Sequence, residues 1–122
     1  MSLKSLNKTQ KAAVEATDGP VLIFAGAGSG KTRVLTHKLY YLVDEGLFKP
    51  EEILAVTFTN KAAKEMKERV MKLLKTNELD LSMGTFHSIC ARILREDIEV
   101  LGFSKHFAIY DVKDQLDLIK VL

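Results

Sequence analysis

Ala25-Gly26-Ala27-Gly28-Ser29-Gly30-Lys31-Thr32 is the stretch whose reading decides the fold. The apolar run Val21-Leu22-Ile23-Phe24 leads into it, and a helical pattern starting near Lys31 leads out. A buried strand, a glycine-rich turn and a helix, in that order, form the setting that a phosphate-cradling P-loop needs. Gly26, Gly28 and Gly30 let the backbone turn sharply and come close to an anion. The loop amides and the positive end of the following helix would then converge on phosphates. Lys31 supplies a point charge for β- and γ-phosphates, and Thr32 a hydroxyl for Mg²⁺. Ala25 stands where the pattern G-x-x-x-x-G-K-[ST] has glycine. Its Cβ disfavours a positive φ but not an extended conformation at a strand end.

Working outward, Asn7 with Gln10 three residues later has the form of a helix N-terminus with a capping box. Ala12, Ala13 and Ala16 carry that helix to the turn Asp18-Gly19-Pro20. Downstream of the loop, Val34, Leu35, Leu39, Leu42 and Val43 keep helical spacing to about Glu45, with Gly46 as the residue after the cap. Residues 53–58, Ile-Leu-Ala-Val-Thr-Phe, read as a parallel strand covered on both faces. A helix over 61–75 turns Ala62, Met66, Val70 and Leu73 inward. A short strand over 81–85 leads to a fourth helix with Phe86, Ile89, Cys90, Ile93 and Leu94 inward, closed by Gly102. Residues 107–110 give a weaker fourth strand and 112–122 a weaker last helix. Strands alternating with helices at this spacing mean βαβ units and a parallel sheet, an α/β protein.

Composition bounds the rest. A chain of 122 residues, 47% apolar, is one domain with a real core. Eighteen basic against sixteen acidic residues leave a net charge of +2, too small to imply nucleic-acid binding by itself, so any such binding must come from a local surface. The single cysteine, Cys90, excludes an intramolecular disulfide and fits a reducing compartment. No apolar run approaches a membrane span and no signal-peptide pattern opens the chain, so a cytoplasmic protein with no membrane partner is expected.

Three further stretches need a joint account with the loop. Gln10 lies just upstream; Thr57-Phe58-Thr59-Asn60-Lys61-Ala62-Ala63 sits at one strand end and Gly84-Thr85-Phe86-His87-Ser88 at the next. Carboxyl ends of strands open on the ligand edge of such sheets. Taken together these stretches resemble the N-terminal part of superfamily 1A DNA helicases of the UvrD/PcrA/Rep type. Gln10 sits in what resembles their Q motif, residues 25–32 match motif I, 56–63 motif Ia and 84–88 motif Ib. The resemblance runs over nearly the whole chain, so residues 1–122 are expected to be the N-terminal part of a RecA-like ATP-binding domain. The implied fold is a P-loop NTPase with three αβα layers and a parallel sheet, incomplete here.

The resemblance implies ATP and Mg²⁺ as cofactors and single-stranded DNA as a partner. It gives Gln10 the adenine edge, whose donor and acceptor a carboxamide can match. A capping role alone is the rival for Gln10. Arg33 would cover an adenine face with its planar guanidinium, against the alternative of a solvated helix Arg. Ala25 to Thr32 would hold the phosphates. Phe58 would stack an unpaired base, unless it is core. Thr57, Thr59, Asn60 and Lys61, with Thr85, Phe86, His87 and Ser88, would contact the strand.

Asp111 ends the run 107–110 like a metal-binding strand-end acid, but no Glu follows it and the family carries its acidic pair later; it reads as a decoy. The other expected parts of the parent enzyme, a second RecA-like domain and inserted subdomains, are not in this sequence. The expected parent is a 3′→5′ ATP-dependent DNA helicase, with the remainder of the helicase chain as a partner. The rival is a stand-alone, non-hydrolysing ATP- or DNA-binding module. Strand edges left unpaired in the segment would favour a dimer or swapped oligomer, or partial disorder, above all after Leu101.

Overall fold

The computed structural model describes residues 3–122; Met1 and Ser2, where the expected domain begins, lie outside the described residues. Two compact units divide the chain, one up to Ile89 and one from Cys90 onward.

In the first unit, helix α1 (Lys8–Glu15) starts at Asn7, whose side chain accepts from the Gln10 amide while the Gln10 side chain accepts from the Asn7 amide. The expected capping box is therefore present, and two orphan donors are satisfied reciprocally. Helix α2 (Lys31–Asp44) ends where Gly46 adopts a φ of +65°. Gly46 N donates to Val43 O at 3.1 Å and Leu47 N to Leu42 O at 3.0 Å, the paired bonds of a glycine-terminated helix. A 3₁₀ turn (Pro50–Glu52) delivers the chain to strand β1 (Leu54–Thr57). Thr59 caps helix α3 (Asn60–Leu74), its hydroxyl accepting from Ala62 N at 3.1 Å. Strand β2 (Ser82–Thr85) follows, and helix α4 (Phe86–Asp97) begins directly after it.

β1 and β2 pair in parallel, Leu54 opposite Ser82 through Thr57 opposite Thr85. The crossover between them is α3, so this is one βαβ unit. α3 packs on both strands and α2 packs on α3. Leu39, Ile53, Ala55, Met66, Val70, Leu79 and Leu81 form the core, with Val70 fully enclosed. Met66 and Val70 lie on one α3 stripe, as the sequence predicts, but Ala62 and Leu73 are only half-buried and Ala63 is buried instead. β1 alternates, with Ala55 and Thr57 buried and Leu54 exposed. It is therefore covered on one face rather than the expected two.

Two expected strands are not formed. Residues 21–24 have no regular structure and are exposed, Leu22 at 78% and Phe24 at 89%. Residues 107–110 are likewise irregular. The reason is the same for both: a strand exists only through its ladder, and among the described residues nothing pairs with either segment. The three-layer sheet expected from the sequence is thus a two-stranded parallel sheet with helices. α2 also buries Thr36, His37 and Tyr40, while Leu35, expected inside, is exposed.

The second unit holds the end of α4, a 3₁₀ turn (Ile98–Leu101) closed by Gly102 at φ +80°, and helix α5 (Val112–Val121). None of its residues is buried. Within it the Arg95 guanidinium lies 5.7 Å from the Phe107 ring centre and Lys105 pairs with Glu99 at 3.2 Å, contacts worth little at exposed sites. Of the expected inward face of the fourth helix only Ile89 is buried, because Cys90, Ile93 and Leu94 belong to this unit without a core. Asp111 caps α5, accepting from Asp114 N at 2.8 Å. No helix among the described residues is long and apolar enough to cross a membrane.

Candidate functional site

The glycine-rich turn is held by its own groups. Ser29 sends both its amide and its hydroxyl to Gly26 O, at 3.3 and 2.7 Å. Gly28 and Gly30 have φ of +74° and +89°, the left-handed region that glycine alone enters without strain. Ala25 has no positive φ, which is why alanine is tolerated there. Gly30 is the N-cap residue of α2 and offers no side-chain cap to the first turn. Lys31 curls back so that Nζ donates to Ala25 O and Gly26 O, both at 2.7 Å. Ala27, Ser29, Lys31, Thr32 and Arg33 are exposed. A loop with free curvature, a lysine over its mouth and an uncapped helix start has the donors that phosphate oxygens take. The Thr32 side chain is exposed beside Lys31, and among the described residues no group of three or more His, Cys, Asp or Glu could hold a metal.

α1 lies against this loop. Gln10 Nε2 donates to Ser29 O at 3.1 Å while its Oε1 holds the Asn7 amide. Capping and loop contact are thus simultaneous. Each end of the carboxamide keeps spare capacity, because the oxygen has two lone pairs and the nitrogen two protons. The fit is close: a Cβ on Gly30 would lie 2.9 Å from Gln10 Nε2. Arg33 Nη2 donates to Ser5 O at 2.9 Å, so its guanidinium is tied to the segment before α1.

Two α2 residues escaped sequence reasoning. His37 is buried, and its Nδ1 lies 2.8 Å from Arg33 O, so that nitrogen carries the proton. Lys38 donates to Ala13 O at 3.3 Å, to Val14 O at 3.4 Å and to Ala16 O. Burial pushes the Lys38 ammonium below its ordinary pKa. The sequence shows only that α1 has no basic residue in its last turn, which leaves its terminal carbonyls open to a donor from elsewhere without singling out Lys38.

The sheet brings the other two stretches together. Because Thr57 pairs with Thr85, both strands end at one level and each is followed by a phenylalanine. Phe58 is 92% exposed and Phe86 is exposed beside it, ring centres 6.0 Å apart and tilted by 54°. Asn60, Lys61, His87 and Ser88 are exposed around them. The hydroxyls are partly committed. Buried Thr57 Oγ1 donates to Thr59 O at 2.9 Å. Thr85 and Ser88 cap one another, with Thr85 N on Ser88 Oγ at 2.9 Å and Ser88 N on Thr85 Oγ1 at 3.2 Å. Gly84 makes room for this: its Cβ would fall 2.4 Å from Ser88 Oγ.

A parallel α/β unit, with a glycine-rich turn opening one helix and paired strand ends opening two others, defines the class. Residues 6–122 match the family described as UvrD/REP helicase N-terminal domain. The chain belongs to that family. It is 56% identical over 118 residues to the ATP-dependent DNA helicase PcrA of Bacillus subtilis (strain 168), covering 97% of this chain and 16% of that protein. The PcrA helicases of Staphylococcus aureus (strain Mu50) and Staphylococcus epidermidis (strain ATCC 35984) are each 54% identical over 118 residues, again 97% of this chain and 16% of theirs. The chain therefore spans about one sixth of the length of these relatives.

Proposed function

We propose that the chain is the nucleotide- and single-stranded-DNA-binding N-terminal part of the first RecA-like motor domain of a 3′→5′ ATP-dependent DNA helicase. The observation that carries the reading is the convergence of Lys31, Gln10 and the two left-handed glycines on one turn. On binding ATP, Lys31 exchanges the carbonyls of Ala25 and Gly26 for β- and γ-phosphate oxygens, and the amides of residues 26–32 surround the phosphates. Thr32 gives its hydroxyl to Mg²⁺. Gln10 reads the adenine edge with its spare donor and acceptor, and Arg33 lies over one face of the base.

Phe58 and Phe86 form the stacking surface for unpaired bases. Thr59, Asn60, Lys61, His87 and Ser88 meet the backbone around it, with Thr57 and Thr85 holding the turns in place. Strands from beyond this chain would pair with residues 21–24 and supply the remaining acidic and arginine groups of hydrolysis. The relatives' names, ATP-dependent DNA helicase, agree with this reading.

The test is a double dissociation in the full-length protein. Lys31→Ala is expected to abolish most ATP binding and hydrolysis while single-stranded DNA binding without nucleotide persists. Phe58→Ala is expected to weaken single-stranded DNA by about 1–3 kcal/mol with nucleotide affinity intact. Both variants losing both activities, or neither losing any, would sink the assignment.

A further inference from the structure

The strongest feature left over by that reading is the Lys38 ammonium. α1 is only eight residues long and would be marginal alone. Its first turn is fastened by the Asn7–Gln10 box, and Gln10 reaches on to Ser29 O. Its last carbonyls have no helical partners, and Lys38 of α2 reaches three of them, its ammonium donating to Ala13 O, Val14 O and Ala16 O. A cation there also faces the negative end of the α1 dipole. Val14, beside these carbonyls, is fully enclosed. α1 is thus pinned to the α2 segment at both ends, by Gln10 at the loop and by Lys38 seven residues beyond Lys31 on the same helix. The Gln10 end has little slack, since a single added Cβ on Gly30 would crowd its amide.

From this geometry we propose that Lys38 is a positioning residue for nucleotide-base recognition: its bonds to the end of α1 set where along α2 that helix lies, and so where Gln10 presents its carboxamide to the base. The proposal rests on the adenine-reading role given to Gln10 above. It assigns Lys38 no contact with nucleotide. A displacement of α1 by an ångström would misplace a hydrogen-bonding edge without touching the phosphate groups on Lys31, and so would act on base choice more than on turnover.

The test uses the full-length helicase with saturating single-stranded DNA, measuring kcat and KM for ATP and for GTP. Lys38→Met keeps the stem and removes the donors; it is expected to raise KM for ATP about 10-fold, leave KM for GTP within about 2-fold and leave kcat nearly unchanged. Lys38→Arg, which keeps several donors, is expected to restore the ATP preference, and Lys38→Gln to restore part of it. In a Gln10→Ala background, Lys38→Met should bring no further loss of ATP preference.

If Gln10→Ala lowers the ATP-over-GTP preference and Lys38→Met does not, the positioning role is wrong and the Gln10 reading stands. If Lys38→Met weakens both nucleotides equally without rescue by Arg, Lys38 is only structural. If Gln10→Ala leaves the preference intact, the base-reading role fails and this proposal fails with it. Should Lys38→Met not fold, the Gln and Arg variants decide by the same ratio.

Discussion

The turns at Thr57–Asn60 and Thr85–Ser88 share a recipe with the turn at Ala25–Lys31: an apolar run, a bend, a helix. Their supports differ. The first two follow paired strands, and side chains of the turns themselves, Thr59 and the Thr85–Ser88 pair, satisfy the new helix. The third follows an unpaired, exposed lead-in, and its helix starts at a glycine with no side-chain cap. What holds it is a set of side-chain donors on its carbonyls, Lys31 on Ala25 and Gln10 on Ser29. A turn built on a sheet is preset. Under the proposed function, a turn held by a lysine that a phosphate would also attract can remake its bonds on binding.

The largest expected contrast is energetic. Met66, enclosed beneath the sheet, should cost about 2–5 kcal/mol when changed to Ala. In the 122 residues alone, where among the described residues nothing pairs with 21–24, Phe24→Ala should change stability by under about 0.5 kcal/mol, since it removes no buried contact. Urea denaturation of each variant measures both. Equal losses would mean that the lead-in is packed as firmly as the sheet.

Next in size is a contrast within the loop. Gly30→Ala places a Cβ at a φ of +89° and against the Gln10 amide, so it should cost about 1–2 kcal/mol. Gly26→Ala meets open space at a φ that is not positive, and should cost under about 0.5 kcal/mol. Thermal melts separate the two, and similar losses at both positions would show that left-handed geometry is not what the loop selects glycine for.

The parts legible in the sequence were those written in local chemistry. Asn7 with Gln10 announced α1, Gly46 announced the end of α2, and the Met66–Val70 stripe announced the buried face of α3. Each needs only neighbours within a turn or two. Residues 21–24 and 107–110 have strand composition but no ladder, and pairing is a property of two segments, not one. β1 misled for a related reason, since a continuous apolar run does not say how many faces are covered. In the candidate site, Gln10, the left-handed glycines and Phe58 could be nominated from type and order. Lys38 could not be placed, because a lysine on a helix is ordinarily solvated and its acceptors lie over twenty residues away. His37 and Thr36 look polar and exposed in sequence, yet each satisfies a polar atom by bonding to a carbonyl one turn back, which lets it be buried.

The smallest effect falls on the sheet side. Thr59 accepts from Ala62 N, and its hydroxyl proton stays available to a phosphate oxygen. Thr59→Ala should cost about 1 kcal/mol of stability, Thr59→Gly and Thr59→Ser only a few tenths. If the hydroxyl only caps α3, single-stranded DNA affinity in the full-length protein should be the same for Ala, Gly and Ser once folding is complete. If it also meets DNA, Ser should retain affinity while Ala and Gly lose it alike, despite their different stabilities. Affinity that tracks the hydroxyl rather than the melting temperature is the expected outcome. The reverse ordering would leave Thr59 as a cap and confine the proposed backbone contacts at this strand end to Asn60 and Lys61.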